Sequence, residues 1–177
     1  MKFSATQDVQ VPIDRVFQRF SDFHVFEQAA IRRGAEVRRL DRLALPGPGM
    51  MWSAAFHLRG KRREVEMEMV SFDPPYEMVM ESNSPGMLGT TTLEFFALPP
   101  QGTRLRVQLE IRPINLSGRL LIQSLKLAKG SLSTKFKERV AHYCTSILAQ
   151  EGVADAGLPT EGMPRFDDDL RHRKRRG

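Results

Sequence analysis

Few residues of this chain have the type and spacing that reaction chemistry needs. The four histidines, His24, His57, His142 and His172, are widely separated. No two stand at the i, i+4 spacing that sets a pair of ligands on one helix face, so no metal site is expected. The one cysteine, Cys144, falls on the apolar stripe of a predicted helix, where a free thiol acts as a small hydrophobe. No nucleophile signature surrounds it, and the chain carries neither a Gly-rich phosphate cradle nor a Ser nucleophile elbow. A general acid or base must be poised inside a cavity. Only His24, Asp22, Arg112 and Tyr143 are candidates for that role, and capping or solvation accounts for the first two more cheaply. The reading is therefore no catalytic residue, no metal and no cofactor.

The chemistry that the sequence does offer is burial of an apolar ligand. Seven of the nine methionines lie between Met50 and Met87. Met67, Met69, Met78 and Met80 fall on the apolar faces of successive predicted strands. Unbranched thioethers adapt to irregular shapes, so a methionine wall suits a permissive pocket. Trp52, Phe56, Phe95, Leu109, Phe136 and Tyr143 are expected to complete that wall. Ser82, Thr91 and Ser71 share the same faces and could orient a ligand, as could the Tyr143 hydroxyl. Arg112, at a strand end, could meet a carboxylate at the cavity mouth.

Strands and helices must position these side chains. In Glu64 to Phe72, Val65, Met67 and Met69 alternate with Glu64, Glu66 and Glu68. From Arg104 to Arg112, Leu105, Val107, Leu109 and Ile111 alternate with charged or polar residues. Clean alternation predicts antiparallel strands with one face in water. Met50 to Arg59, Tyr76 to Ser84 and Met87 to Leu98 read likewise. Arg59-Gly60-Lys61, Asp73-Pro74-Pro75, Ser84-Pro85-Gly86 and Pro99-Pro100-Gln101-Gly102 supply the turns of a hairpin meander. By the same alternation His57 lies outside the cavity.

Ahead of the meander, Lys2 to Val11 reads as a strand. Pro12 then opens a helix that buries Ile13, Val16, Phe17 and Phe20. A second helix spans about Ser21 to Arg33, ending near Gly34, and Ala35 to Leu40 forms a further strand. After the meander a long amphipathic helix begins near Leu116, its apolar residues recurring at three- and four-residue steps through Leu148. Unbroken to Gln150 it would span roughly 50 Å at ~1.5 Å per residue, so an interruption near Gly130 is expected. The fold class is α+β: a curved antiparallel sheet of six or seven strands gripping a long C-terminal helix, with two short helices between strands 1 and 2.

That order, with VQVPIDRVFQRFSDFHVFEQAA near the start and LKLAKGSLSTKFKERVAHY near the end, resembles the SRPBCC superfamily. This group includes START lipid-transfer domains and the polyketide cyclase/dehydrase family. The similarity covers roughly residues 1 to 150. It rests on loose patterns: Pro12 with Asp14 two residues on, the aromatic Phe17, and Asp22 near a helix break. It implies a helix-grip fold with a cavity for apolar or amphipathic molecules, in carriers for the most part and enzymes in a minority.

At 177 residues the chain can bury roughly 70% of its unfolded surface, enough for a core with a hollow in it. No apolar run reaches bilayer-spanning length and the N-terminus lacks a signal-peptide core. With a single cysteine, this predicts a cytoplasmic protein. The domain is expected over residues 1–150, with a flexible linker and basic tail over 151–177. Between Arg165 and Gly177 six Lys/Arg face three acids, within a net charge of +6. Such a run attracts polyanions without sequence preference, and no motif for specific nucleic-acid recognition accompanies it. Arg119, Lys126, Lys129, Lys135, Lys137 and Arg139 form a second basic cluster on the last helix, which predicts transient contact with an anionic membrane surface. The leading functional expectation is binding or transport of a hydrophobic small molecule of lipid, quinone or polyketide-like type. A cyclase- or dehydratase-like enzyme using the same cavity is the alternative, and a protein-interaction module a third reading.

Overall fold

Period-two alternation runs through most of the first two thirds of the chain, and it produces one sheet. The computed structural model describes residues 1–58 and 60–152. The expected linker and basic tail lie outside these residues, apart from Glu151 and Gly152, which belong to the last helix. Strand β1 (Lys2–Val9) leads into helices α1 (Ile13–Phe20) and α2 (Phe23–Arg32). Then come β2 (Glu36–Arg39), β3 (Met51–Leu58), β4 (Lys61–Asp73), β5 (Glu77–Ser84), β6 (Met87–Leu98) and β7 (Gly102–Pro113). The seven strands pair in the order β1-β7-β6-β5-β4-β3-β2, antiparallel throughout. Thus β3 to β7 form the predicted meander, β2 adds to it at the β3 edge, and β1 closes onto β7.

Register sorts the side chains. Trp52 opposes Met67, which in turn opposes Ser82; Met69 opposes Met80, and Thr91 opposes Leu109. These positions all belong to the concave face. Glu64, Glu66 and Glu68 fall between them and stay exposed, the last two on the convex face. The alternation slips once: the β4–β5 register shifts between Met69 and Ser71. A bulge of this kind reverses the phase of the residues beyond it. Phe72 therefore joins the core, its ring 5.3 Å from that of Phe17. Ser71, expected on the cavity face, instead donates its hydroxyl to Glu77 Oε1 at 3.1 Å on the other side.

The C-terminal helical region is broken as its length demands. Helix α3 (Leu116–Lys126) ends at Leu127, and α4 (Lys129–Gly152) begins two residues later. The interruption thus precedes Gly130, which lies within the first turn of α4. Leu127, read from sequence as part of the apolar stripe, stands in the break and is 92% exposed. α4 packs mainly on β1, α3 on β7, and α1 on β6 and β7. The core forms where these layers meet, around Val9, Val16, Phe17, Phe20, Met69, Met78, Phe95, Leu105 and Ile147.

A close backbone contact fixes the start of α3. Gly86, at φ +96°, turns the chain between β5 and β6 and offers its carbonyl to the Ile114 amide at 2.9 Å. Asn115 caps α3 by accepting from the Gly118 amide at 2.9 Å. Gly118 sits so close to the Gly86 carbonyl that a β-carbon there would overlap it.

This packing can be tested at two positions. Gly118→Ala forces the turn and the helix apart, an overpacking cost of about 1–3 kcal/mol; thermal unfolding should fall by roughly 3–10 °C. An unchanged midpoint would show that the contact is not what holds α3. Met69→Ala empties a fully buried site and should cost about 2–5 kcal/mol in urea denaturation.

Candidate functional site

The concave face is filled at one end and hollow at the other. At the filled end, aromatic rings from α1 and α2 occupy the sheet. Phe17 lies edge-on to Phe95 at 5.1 Å, Phe20 to Phe95 at 5.6 Å, and Phe20 to Tyr143 at 4.8 Å. Phe23 from α2 covers Trp52 at 5.4 Å. The Trp52 indole N–H, buried beneath, donates to Glu27 Oε1 at 2.6 Å, and the Arg39 guanidinium lies 5.0 Å over its ring. Arg39 in turn makes a two-pronged bond to Asp41 at 2.5 and 2.9 Å. That guanidinium, together with the backbone amides of Met51 and Leu43, holds the Asp41 carboxyl well below the usual range. This network closes the α2 end.

The hollow end lies beneath α3. There a cavity of about 410 Å³ opens between the strands and the helix, within the size range of small-ligand clefts, roughly 300–1,000 Å³. Phe56 and Leu58 from β3, Val65 from β4, Met87 from β6, Leu109 and Ile111 from β7 and Leu121 from α3 provide apolar wall. Gly89 contributes no side chain, and a β-carbon added to it would meet the Ser82 hydroxyl. A strand glycine of this sort is where space is left for something else to approach. The polar part of the wall is Ser82, Ser84 and a strip of β4 containing Arg62, Arg63 and Glu64. Arg62 bonds Glu64 and, at 3.0 Å, Glu36. The hydroxyl of Ser84 is engaged by the Met87 carbonyl at 3.4 Å.

The residues expected to bind ligand are divided between the two ends. Phe56 and Leu109 line the cavity. Met67 and Met80 are half-buried and pack against the core, whereas Trp52, Met69, Met78 and Phe95 are buried in it. Phe136 packs on Phe3 with ring centroids 5.9 Å apart. Tyr143 lies against Phe20 and Phe26, and its hydroxyl donates to the Arg19 carbonyl at 3.0 Å. Of the polar candidates, Ser82 reaches the cavity, while Thr91 and Arg112 are not among its lining residues. Burial, then the nearby Asp22 charge, pushes the Tyr143 phenol strongly upward. Burial also pushes the Cys144 thiol up to about 11, so it stays protonated at neutral pH and is a poor nucleophile. His24 is largely exposed, its Nδ1 3.7 Å from Glu27, and His57 is exposed on the convex side. Among the described residues no group of three His, Cys, Asp or Glu is arranged to hold a metal.

Sequence reasoning did not single out Arg63, Ser84, Met87, Gly89, Ile111 or Leu121 for the site. A signal existed for three of them. Ile111 continues the phase of Val107 and Leu109. Arg63 continues the phase of Val65, Met67 and Met69, and Gly89 interrupts a strand pattern.

Among solved structures, the chain is similar to the Zhui aromatase/cyclase of Streptomyces sp. R1128, with a TM-score of 0.64 at 15% identity over 89% of this chain and 99% of that one. It is also similar to TTHA0849 from Thermus thermophilus, with a TM-score of 0.62 at 17% identity over 88% and 100%. SA2116 from Staphylococcus aureus gives 0.57 at 13% identity over 86% and 96%. At these identities the likeness is one of fold. Comparison with curated protein sequences found no match. Residues 1–141 match the family described as polyketide cyclase / dehydrase and lipid transport. A sheet gripping a helix over an apolar hollow, and a sequence match over most of the chain, agree: this protein belongs to that family, within the SRPBCC superfamily.

Proposed function

We propose that the protein binds and carries a hydrophobic small molecule, of lipid, quinone or polyketide-like character, in the cavity beneath α3. The observation that carries this reading is the apolar wall around about 410 Å³ of space. Burying roughly 300 Å² of apolar ligand surface contributes about 7 kcal/mol before the costs of association. Phe56 and Leu109 would touch the ligand first, and the half-buried Met67 and Met80 would form an adaptable floor towards the core. Small displacements of α3 against the Asn83–Met87 turn would admit it.

A cyclase- or dehydratase-like enzyme is the second reading, favoured by the family's description and by the aromatase/cyclase fold neighbour. The cavity composition supports a carrier instead. Its ionisable lining residues are Arg62, Arg63 and Glu64, whereas Tyr143 and Cys144 belong to the filled end.

A carrier must meet its source of cargo, and the surface beside the cavity suits a membrane. Leu116 and Leu120, one turn apart on the outer side of α3, and Leu127 in the break beyond it are 72%, 59% and 92% exposed. Arg119 and Lys126 flank them, Lys129 and Lys137 follow on α4, and all four are exposed. No acid intervenes between Glu110 and Glu138. Each cation near an anionic surface is worth about 1 kcal/mol. No described helix is long and apolar enough to cross a bilayer, so the contact would be peripheral and transient. It would be made from the cytoplasmic side.

Two measurements test this. Native mass spectrometry of detergent-free protein, followed by denaturing extraction, should release an apolar molecule. Gly89→Leu, which fills the cavity, should reduce its occupancy about tenfold with an unchanged circular dichroism spectrum. Equal occupancy in a folded variant would place the ligand elsewhere. Separately, the protein should sediment with phosphatidylserine vesicles at low salt and be released at high salt. Reversing Arg119 and Lys126 to Glu should abolish sedimentation, and retention by the variant would remove α3 from the contact.

A further inference from the structure

One guanidinium on the concave face has a shielded donor with nothing to bond among the described residues. Arg63 opposes Phe56 in the β3–β4 register and shares the phase of Val65, so it belongs to the cavity wall rather than to the acidic convex face. Its Nε is hidden from solvent and makes no hydrogen bond to a described residue. The neighbouring acids are engaged elsewhere or point away. Glu64 bonds Arg62, and Glu66 faces out with the exposed row of β4. Four other arginines of the sheet behave differently: Arg39, Arg62, Arg104 and Arg106 each bond a carboxylate. A desolvated guanidinium donor left unsatisfied destabilises the fold. Its fork geometry matches a carboxylate better than a lysine would.

We infer that the cavity is built for an acidic amphiphile, whose carboxylate bonds Arg63 while its apolar body lies against Val65, Leu109, Ile111 and Leu121. The Ser82 hydroxyl lines the same cavity further along the strands, four residues from Arg63 in the β4–β5 register. This inference rests on the cavity being the ligand site and adds the chemical class of its occupant. Both fatty acids and polyketide acids have this chemistry; a linear and an aromatic acid separate them.

The test compares ligands identical except at the polar end. Dodecanoate and dodecanol are titrated into the full-length protein by calorimetry, with naphthoate and naphthalenemethanol as the aromatic pair. Wild type should prefer the acid of the better-fitting pair by roughly 10- to 100-fold, the range of a charge-assisted hydrogen bond. That preference should vanish at acid pH as the ligand protonates. Arg63→Met should bind acid and alcohol equally, at the wild-type alcohol affinity, and Arg63→Lys should keep only part of the preference. Should Arg63→Met not fold, Arg63→Gln and the wild-type pH series read the same ratio. Equal affinity for acid and alcohol in wild type overturns the inference and leaves the carrier reading standing, as does a preference that survives Arg63→Met. Failure of both members of both pairs to bind wild type removes the cavity as a ligand site, and the inference with it.

Discussion

The sheet is wider than the helices can cover, and the rest of the molecule depends on that mismatch. Seven antiparallel strands present a long concave face, yet the main helix contacts fall on β1, β6 and β7, with α2 against β2. Interiors are close-packed wherever side chains can reach one another. At the end under α1 and α2 they can: Phe17, Phe20, Phe72 and Phe95 interlock, and Met69 and Met78 have essentially no exposure. Under α3, Leu121 meets a floor that includes a glycine. The hollow is therefore the unfilled remainder of a core, and its apolar lining comes from the alternation that built the sheet.

Electrostatics sharpens the division between faces. The convex side carries Lys2–Glu110, Arg104–Asp8 and Arg106–Glu94, and the Arg62–Glu36/Glu64 group stands at the cavity rim. These pairs are substantially exposed, so each adds at most about 1 kcal/mol; their weight is in register, since a one-residue slip would drive the acids of β4 inward. The Trp52–Glu27–Arg39–Asp41 network has another role. It satisfies a buried indole N–H and ties the β2–β3 connection to α2, closing the end opposite the cavity. Beside these arginine–carboxylate pairs, the shielded Nε of Arg63 is conspicuous.

Much of this was legible in the sequence because sheets report their faces directly. Alternation alone puts Val65, Met67 and Met69 together on one face, with Met80 of β5 opposite Met69. The location of the hollow was not legible. It depends on the bulge after Met69, which brings Phe72 inward to fill the space above the methionine wall, and on a helix break at Leu127 rather than at Gly130. Neither leaves a local signature: a bulge is one extra residue in an otherwise normal strand, and the break falls in a run of good helix formers. Methionine also misleads in a specific way. Its flexible side chain suits a pocket wall and a dense core equally, so only the aromatic neighbours decide which role Met69 and Met78 take.

Helix α3 connects these threads. Its inner side contributes Leu121 to the cavity and buries Ile122, while its outer side exposes Leu116 and Leu120. A helix that is apolar on both sides would be a poor choice for a purely structural cover, which needs only one apolar stripe. Its attachments are correspondingly local. The Gly86–Gly118 contact and the Asn115 cap fix its N-terminus, and its far end runs into the exposed Leu127 break. An element pinned at one end and interrupted at the other can tilt without unfolding, because the strands beneath it stay paired to each other. Opening the cavity by that tilt would cost the packing of Leu121, Ile122 and Leu125, a smaller loss than disturbing α4, which carries Cys144 and Ile147 into the main core.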